Sequence, residues 1–129
     1  MKLLAPTLLA AALLGGCSMM PSHSSMMASD MPTRAADGRL IGPTGNTLYV
    51  FSKDGPGMSN CNAQCAANWP PLPVASTAKP MGEYSIVQRA DGSQQWAYRG
   101  QPLYYFAKDQ KSGDMVGDGV GGSWKIVRP

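Results

Sequence analysis

The chain carries a single histidine in 129 residues, only two phenylalanines, and charged side chains at 15% of its length. That histidine, His23, sits among serines and methionines outside any apolar pattern, so no Ser/His/Asp relay can be built inside a folded core. Basic residues are scattered, and a net charge of +3 without a cluster leaves no electrostatic footprint for nucleic acid. Phosphate loops, dinucleotide fingerprints and closed zinc sets are also missing, so neither an enzymatic activity nor a cofactor is expected. The one long apolar run, residues 3–14, falls short of the roughly 20 residues that a spanning helix needs. Helix breakers, by contrast, are abundant: 15 glycines and 11 prolines point to a turn-rich, mostly β fold in one small domain.

The N-terminal pattern is that of an export signal, with Lys2 ahead of the apolar run and small residues after it. Leu14-Gly15-Gly16-Cys17 resembles the bacterial lipobox, in which a cysteine accepts the lipid and becomes the new N-terminus. Residues 1–16 are therefore expected to be a lipoprotein signal peptide and Cys17 the lipidated residue. Several acyl chains on one cysteine exceed what stable membrane anchoring requires. By resemblance to Gram-negative lipoproteins, Ser18 after the cysteine directs the protein to the outer membrane, with the domain on the periplasmic side of the cell envelope. The membrane is then one partner, reached through the lipid, and an unidentified envelope component is another.

Residues 17–35 read as a flexible Met/Ser-rich tether without apolar periodicity. Met19, Met20, Met26, Met27 and Met31 surround His23, a soft-ligand composition of the kind that selects Cu(I). No fixed ligand geometry follows from it, so no metal site is assigned. A periplasmic copper-binding or thiol-redox protein is the alternative reading.

Self-comparison organises the rest. The segment GNTLYVFSKD at 45–54 aligns with GQPLYYFAKD at 100–109, identical at six of ten positions. Trp69 falls on Trp124 at the same offset, and the Ala-Asp-Gly turn at 36–38 recurs at 90–92. Residues 36–129 thus read as a duplicated β domain, with repeats 36–88 and 90–129. Tyr49 and Phe51, like Tyr104 and Phe106, are two apart on a strand and share a face, which should be core. Residues 84–89 and 94–99 predict a hairpin, and 123–127 a closing strand.

Tyr49-Val50-Phe51-Ser52-Lys53-Asp54 and Tyr104-Tyr105-Phe106-Ala107-Lys108-Asp109 both fit a tyrosine, any, aromatic, any, any, aspartate pattern. In this, and in the cysteine stretch 61–72 and the segment 113–124, the chain resembles the predicted bacterial lipoproteins called the secreted repeat of unknown function. The resemblance implies a β-rich envelope domain with no established reaction or catalytic residues.

Cys61 and Cys65 are four apart, expected on a short helical turn capped by Ser59 or Asn60 and ended by Pro70-Pro71. That spacing is within reach of a disulfide, the default in an oxidising compartment, while a redox pair or copper ligation is the alternative. Asp54 and Asp109 are expected to accept main-chain amides of the following turns. The aspartates among the glycines of 109–119 do not have calcium-loop spacing and suggest a mobile loop. Trp69, Trp96 and Trp124 are expected in the core.

Overall fold

The computed structural model describes residues 31–129. Its strands are β1 (Thr33–Arg34), β2 (Leu40–Ile41), β3 (Tyr49–Phe51), β4 (Tyr84–Gln88), β5 (Gln94–Tyr98), β6 (Gln101–Pro102) and β7 (Trp124–Ile126). One short helix, α1 (Gln64–Asn68), lies between β3 and β4, and a 3-10 turn (Val120–Gly122) precedes β7. The strands form three small antiparallel sheets, β1-β2, β3-β7 and β4-β5-β6. This is the mostly β, duplicated architecture that the glycine and proline content and the repeat imply. β1 lies in the last residues of the stretch read as tether.

Both repeats open with the same hairpin chemistry. In the first, Ala35 N–H bonds Arg39 O at 2.9 Å, and Asp37 Oδ1 accepts Arg39 N–H. In the second, Arg89 N–H bonds Ser93 O at 2.8 Å, and Asp91 Oδ1 accepts Ser93 N–H. Asp-Gly supplies the turn in each case, with Gly38 and Gly92 both at φ 90°. The second hairpin is longer, pairing Tyr84 with Tyr98 through Gln88 with Gln94. The aromatic segment at 104–106, expected to be a strand like its counterpart, instead makes only single bridges, Tyr104 to Tyr49 and Tyr104 to Pro71. The equivalent of its ladder partner is Pro71, which has no N–H to extend the pairing.

Two apolar clusters result. One gathers Leu40, Leu48, Leu72, Trp96, Tyr98, Leu103 and Val127, and Met31 packs on its edge. The other gathers Tyr49, Cys61, Trp69, Tyr104, Phe106 and Trp124, so all three tryptophans are core. Four rings stack in sequence, Phe106 on Trp69 at 4.0 Å, Trp69 on Trp124 at 3.7 Å, and Trp124 on Phe51 at 4.3 Å between centroids. Each phenylalanine therefore packs on the tryptophan of the opposite repeat. Tyr49 meets Trp69 edge-on at 5.4 Å and Tyr104 meets Trp124 edge-on at 5.2 Å. Replacing every residue by its partner fifty-five positions away reproduces these contacts, which is the signature of a two-fold relation between the repeats.

Cys61 and Cys65 form a disulfide with Cα atoms 5.2 Å apart. Only Cys65 lies on α1; Cys61 precedes it, and the N-cap is Ala63 with no side-chain cap. Ser59 and Asn60, expected to cap the helix, face other groups because Ala63 takes a left-handed φ of 51° that turns the chain between them and α1.

Phe106 is buried and Phe51 half-buried, so Phe106→Ala should cost about 3 to 5 kcal/mol and Phe51→Ala measurably less, as read from urea unfolding. A methyl group at Gly117 would stand 2.8 Å from Phe106 and 2.9 Å from both Trp69 and Tyr49. Gly117→Ala should therefore destabilise by about 1 to 3 kcal/mol in the same assay, although the substitution adds only one carbon. Cys61→Ser should lower the unfolding free energy by about 2 kcal/mol, and neither thiol should alkylate before reduction.

Candidate functional site

The motif residues meet at the centre of the domain. Tyr49 and Tyr104 exchange two main-chain bonds, Tyr49 N–H to Tyr104 O at 2.8 Å and Tyr104 N–H to Tyr49 O at 2.9 Å. Their hydroxyls then cross to the other repeat: Tyr49 donates to Asp109 Oδ2 at 2.7 Å, and Tyr104 to Asp54 Oδ2 at 2.8 Å. Each aspartate uses its second oxygen on the loop that follows it, Asp54 Oδ1 on Asn60 N–H at 2.7 Å and Asp109 Oδ1 on Val116 N–H at 3.0 Å. The aspartates thus hold their turns as the sequence suggests. Their bonds to the opposite tyrosine were not legible from spacing alone.

The two sites differ in their surroundings. On the Asp109 side, Tyr49 accepts Gly117 N–H at 3.1 Å, and Asp109 is buried. On the Asp54 side, Ser59 Oγ lies 2.6 Å from the Tyr104 hydroxyl and accepts Arg89 Nη1 at 2.9 Å. Arg89 is itself buried and donates to Gln95 Oε1 at 2.8 Å and Cys61 O at 2.7 Å. A chain of polar contacts therefore runs from Arg89 through Ser59 and Tyr104 to Asp54. Arg89 was missed as a site residue; the available signal was its place on the same strand face as Val87, where an arginine breaks the apolar pattern.

Burial pushes the Tyr104 hydroxyl up to about 12, and the adjoining Asp54 carboxylate works in the same direction. Tyr49 is raised further, again chiefly by burial with help from Asp109. Burial also raises Asp54 above the ordinary carboxylate value, against the lowering effect of Asn60, Tyr104 and Arg89. Ser59 Oγ has a tyrosine, an arginine and the Cys61 amide as its hydrogen-bonding neighbours, none of them a base at neutral pH. The arrangement orients and satisfies buried polar groups.

Other candidate residues are dispersed or engaged. Asp114 accepts Gln110 and Lys111 amides, and Asp118 accepts the Ile126 amide, so the expected mobile loop is instead pinned at each aspartate. Among the described residues, no group of three or more His, Cys, Asp or Glu is placed to hold a metal. Met31 packs against the core; Cys17, His23, Met19, Met20, Met26 and Met27 lie outside the described residues.

The sign of the pH dependence follows from the raised tyrosines. Their contribution to stability is present in full below the ordinary tyrosine value of 10.0 and is lost as pH rises, for Tyr104 through about 12. The urea midpoint should fall over that window, and Tyr104→Phe should flatten the fall. At neutral pH Tyr49→Phe should cost about 1.5 to 3 kcal/mol, because it leaves a buried Asp109 oxygen without its donor.

Residues 33–73 and 85–128 each match the family model described as a secreted repeat of unknown function, one match in each half of the domain. No curated protein and no solved structure matches the chain. Among the described residues, no helix is long and apolar enough to cross a membrane. With two matches that together span most of its length, divided as its hairpins and crossed tyrosines are divided, the chain belongs to the secreted-repeat family of unknown function.

Proposed function

We propose that the protein is a lipid-anchored component of the cell envelope whose duplicated domain is a noncatalytic binding or structural module. In this reading residues 1–16 are removed, Cys17 carries the lipid, the stretch that follows it is the tether up to β1, and the domain that β1 opens stands on the periplasmic side of the outer membrane. The observation that supports a noncatalytic role is reciprocity: Tyr49 with Asp109 and Tyr104 with Asp54 do the same bonding work at both symmetry-related positions. A duplicated scaffold needs both copies of such a bond, whereas a reaction needs one constellation. Membership of a secreted family and the Leu-Gly-Gly-Cys sequence at 14–17 support the envelope location. The sixteen residue steps from Cys17 to Thr33 set an upper limit of about 58 Å on the distance of the domain from the bilayer.

The test is fractionation with lipid labelling. Wild-type protein should enter the membrane fraction and incorporate labelled palmitate. Cys17→Ser should abolish the label and move the protein to the soluble fraction or leave it as uncleaved precursor. Unchanged membrane fractionation of that variant without label would overturn the anchor.

A further inference from the structure

Where the two halves differ around Asp54 and Asp109, the Asp54 side carries a cleft. Phe51, Ser52, Asp54, Pro56, Arg99 and Gln101 surround a hollow of about 280 Å³, which Gly55, Gly100 and Pro102 complete. At the symmetry-related place in the other half a side chain stands against the equivalent glycine. There Ser112, the counterpart of Gly57, donates its hydroxyl to Gly45 O at 3.1 Å and lies so close to Gly45 that any side chain on that glycine would collide with it. Gly57 has no side chain to place over Gly100, the counterpart of Gly45; its amide bonds Gly100 O at 2.7 Å instead. Accordingly Asp109 is 7% exposed, while Asp54 is only half-buried and lines the open hollow.

The rim carries a second, independent irregularity. Tyr98 pairs with Gln101, so Arg99 and Gly100 form a two-residue turn in which both have positive φ, 50° and 82°. Such turns favour Asn-Gly, and an arginine at the first position is held in a conformation unfavourable for a side chain with a Cβ. Local strain retained at the mouth of a cleft is a pointer to use. Arg99 is oriented there by an ion pair with Glu83 and by the Tyr98 ring, 5.1 Å away.

We propose that this cleft binds a neutral saccharide. Phe51 and Pro56 offer apolar surface to the C–H faces of a sugar ring, and Ser52, Asp54, Gln101 and Arg99 are the lining groups that donate to or accept from hydroxyls. Asp54 and Arg99 are not ion-paired with each other; the hollow separates them. Arg99 is paired with Glu83, and both Asp54 oxygens already accept hydrogen bonds, from Asn60 N–H and the Tyr104 hydroxyl, so the lining offers no unpaired cation to an anionic ligand, whereas hydroxyl groups can use the remaining guanidinium N–H groups and carboxylate lone pairs. The proposal rests on the reading of the domain as a noncatalytic binding module and supplies its ligand class.

The experiment is a titration of the lipidated full chain in dodecylphosphocholine micelles, followed by amide NMR shifts, with chitobiose and maltose as probes. Saturable shifts should centre on Phe51, Ser52, Gly55, Gly100 and Gln101 with at least one sugar. Gln101→Ala and Arg99→Asn should each weaken binding about tenfold, the loss of one good hydrogen bond. Arg99→Asn suits the turn better than arginine, so its urea midpoint should be unchanged or higher, which separates lost binding from lost folding. No saturable shift with either sugar, shifts that both variants leave intact, or saturation by alanyl-alanine in place of sugar would overturn the proposal. All variants should remain in the membrane fraction; silence toward sugar with intact fractionation sinks the ligand class alone, and altered fractionation of the wild type sinks the anchored module.

Discussion

Everything in the domain is arranged around two tyrosines that face each other. Tyr49 and Tyr104 exchange main-chain bonds, and their side chains leave the junction in opposite directions to reach the aspartate of the other repeat. A hydrogen bond from a buried phenol to a carboxylate is strong because the acceptor is charged and the site is shielded from water. Losing either partner leaves a buried polar atom unsatisfied. The tyrosines therefore fix how the halves sit against each other, and the ring stack of Phe106, Trp69, Trp124 and Phe51 can form only in that arrangement.

Duplication explains the symmetry, and later divergence explains its exceptions. The first repeat has an inserted stretch with the Cys61–Cys65 bridge, and that stretch brings Ser59 and the Cys61 carbonyl into contact with Arg89. Arg89 stands at the hairpin position that Ala35 holds in the first repeat. A guanidinium buried without a carboxylate partner at close range must spread its charge over neutral acceptors, here Ser59, Gln95 and a carbonyl. The result is a first half wired by polar contacts where the second half is closed by glycine packing at Gly117.

Much of this was legible in the chain. The period of the repeat located both hairpins, the alternation around Tyr49 and Tyr104 assigned the core face, and the cysteine spacing gave the bridge. What the residues did not reveal was which aspartate each tyrosine would reach. Spacing reports relations along one strand, and the crossed bonds depend on how two strands far apart in sequence are set against each other. The helix cap failed for a related reason: Ser59 and Asn60 are good capping residues, but their side chains are engaged elsewhere, Ser59 with Tyr104 and Asn60 with Lys53 O. The cleft was also hidden, since its lining joins residues 51–56 with 99–102, two segments that only the fold brings together.

The crossed stack also sets when the domain can form. Phe51 finds its ring partner only in Trp124, and Tyr49 finds its acceptor only in Asp109, so the first repeat stays incomplete until nearly all of the second is available. Contacts of such long sequence separation form late, because a large loop must close before they reward it. For a secreted chain this delay is useful. A polypeptide threaded across a membrane in sequence order would have no stable half-domain to jam the passage, and would fold once Trp124 had emerged on the far side.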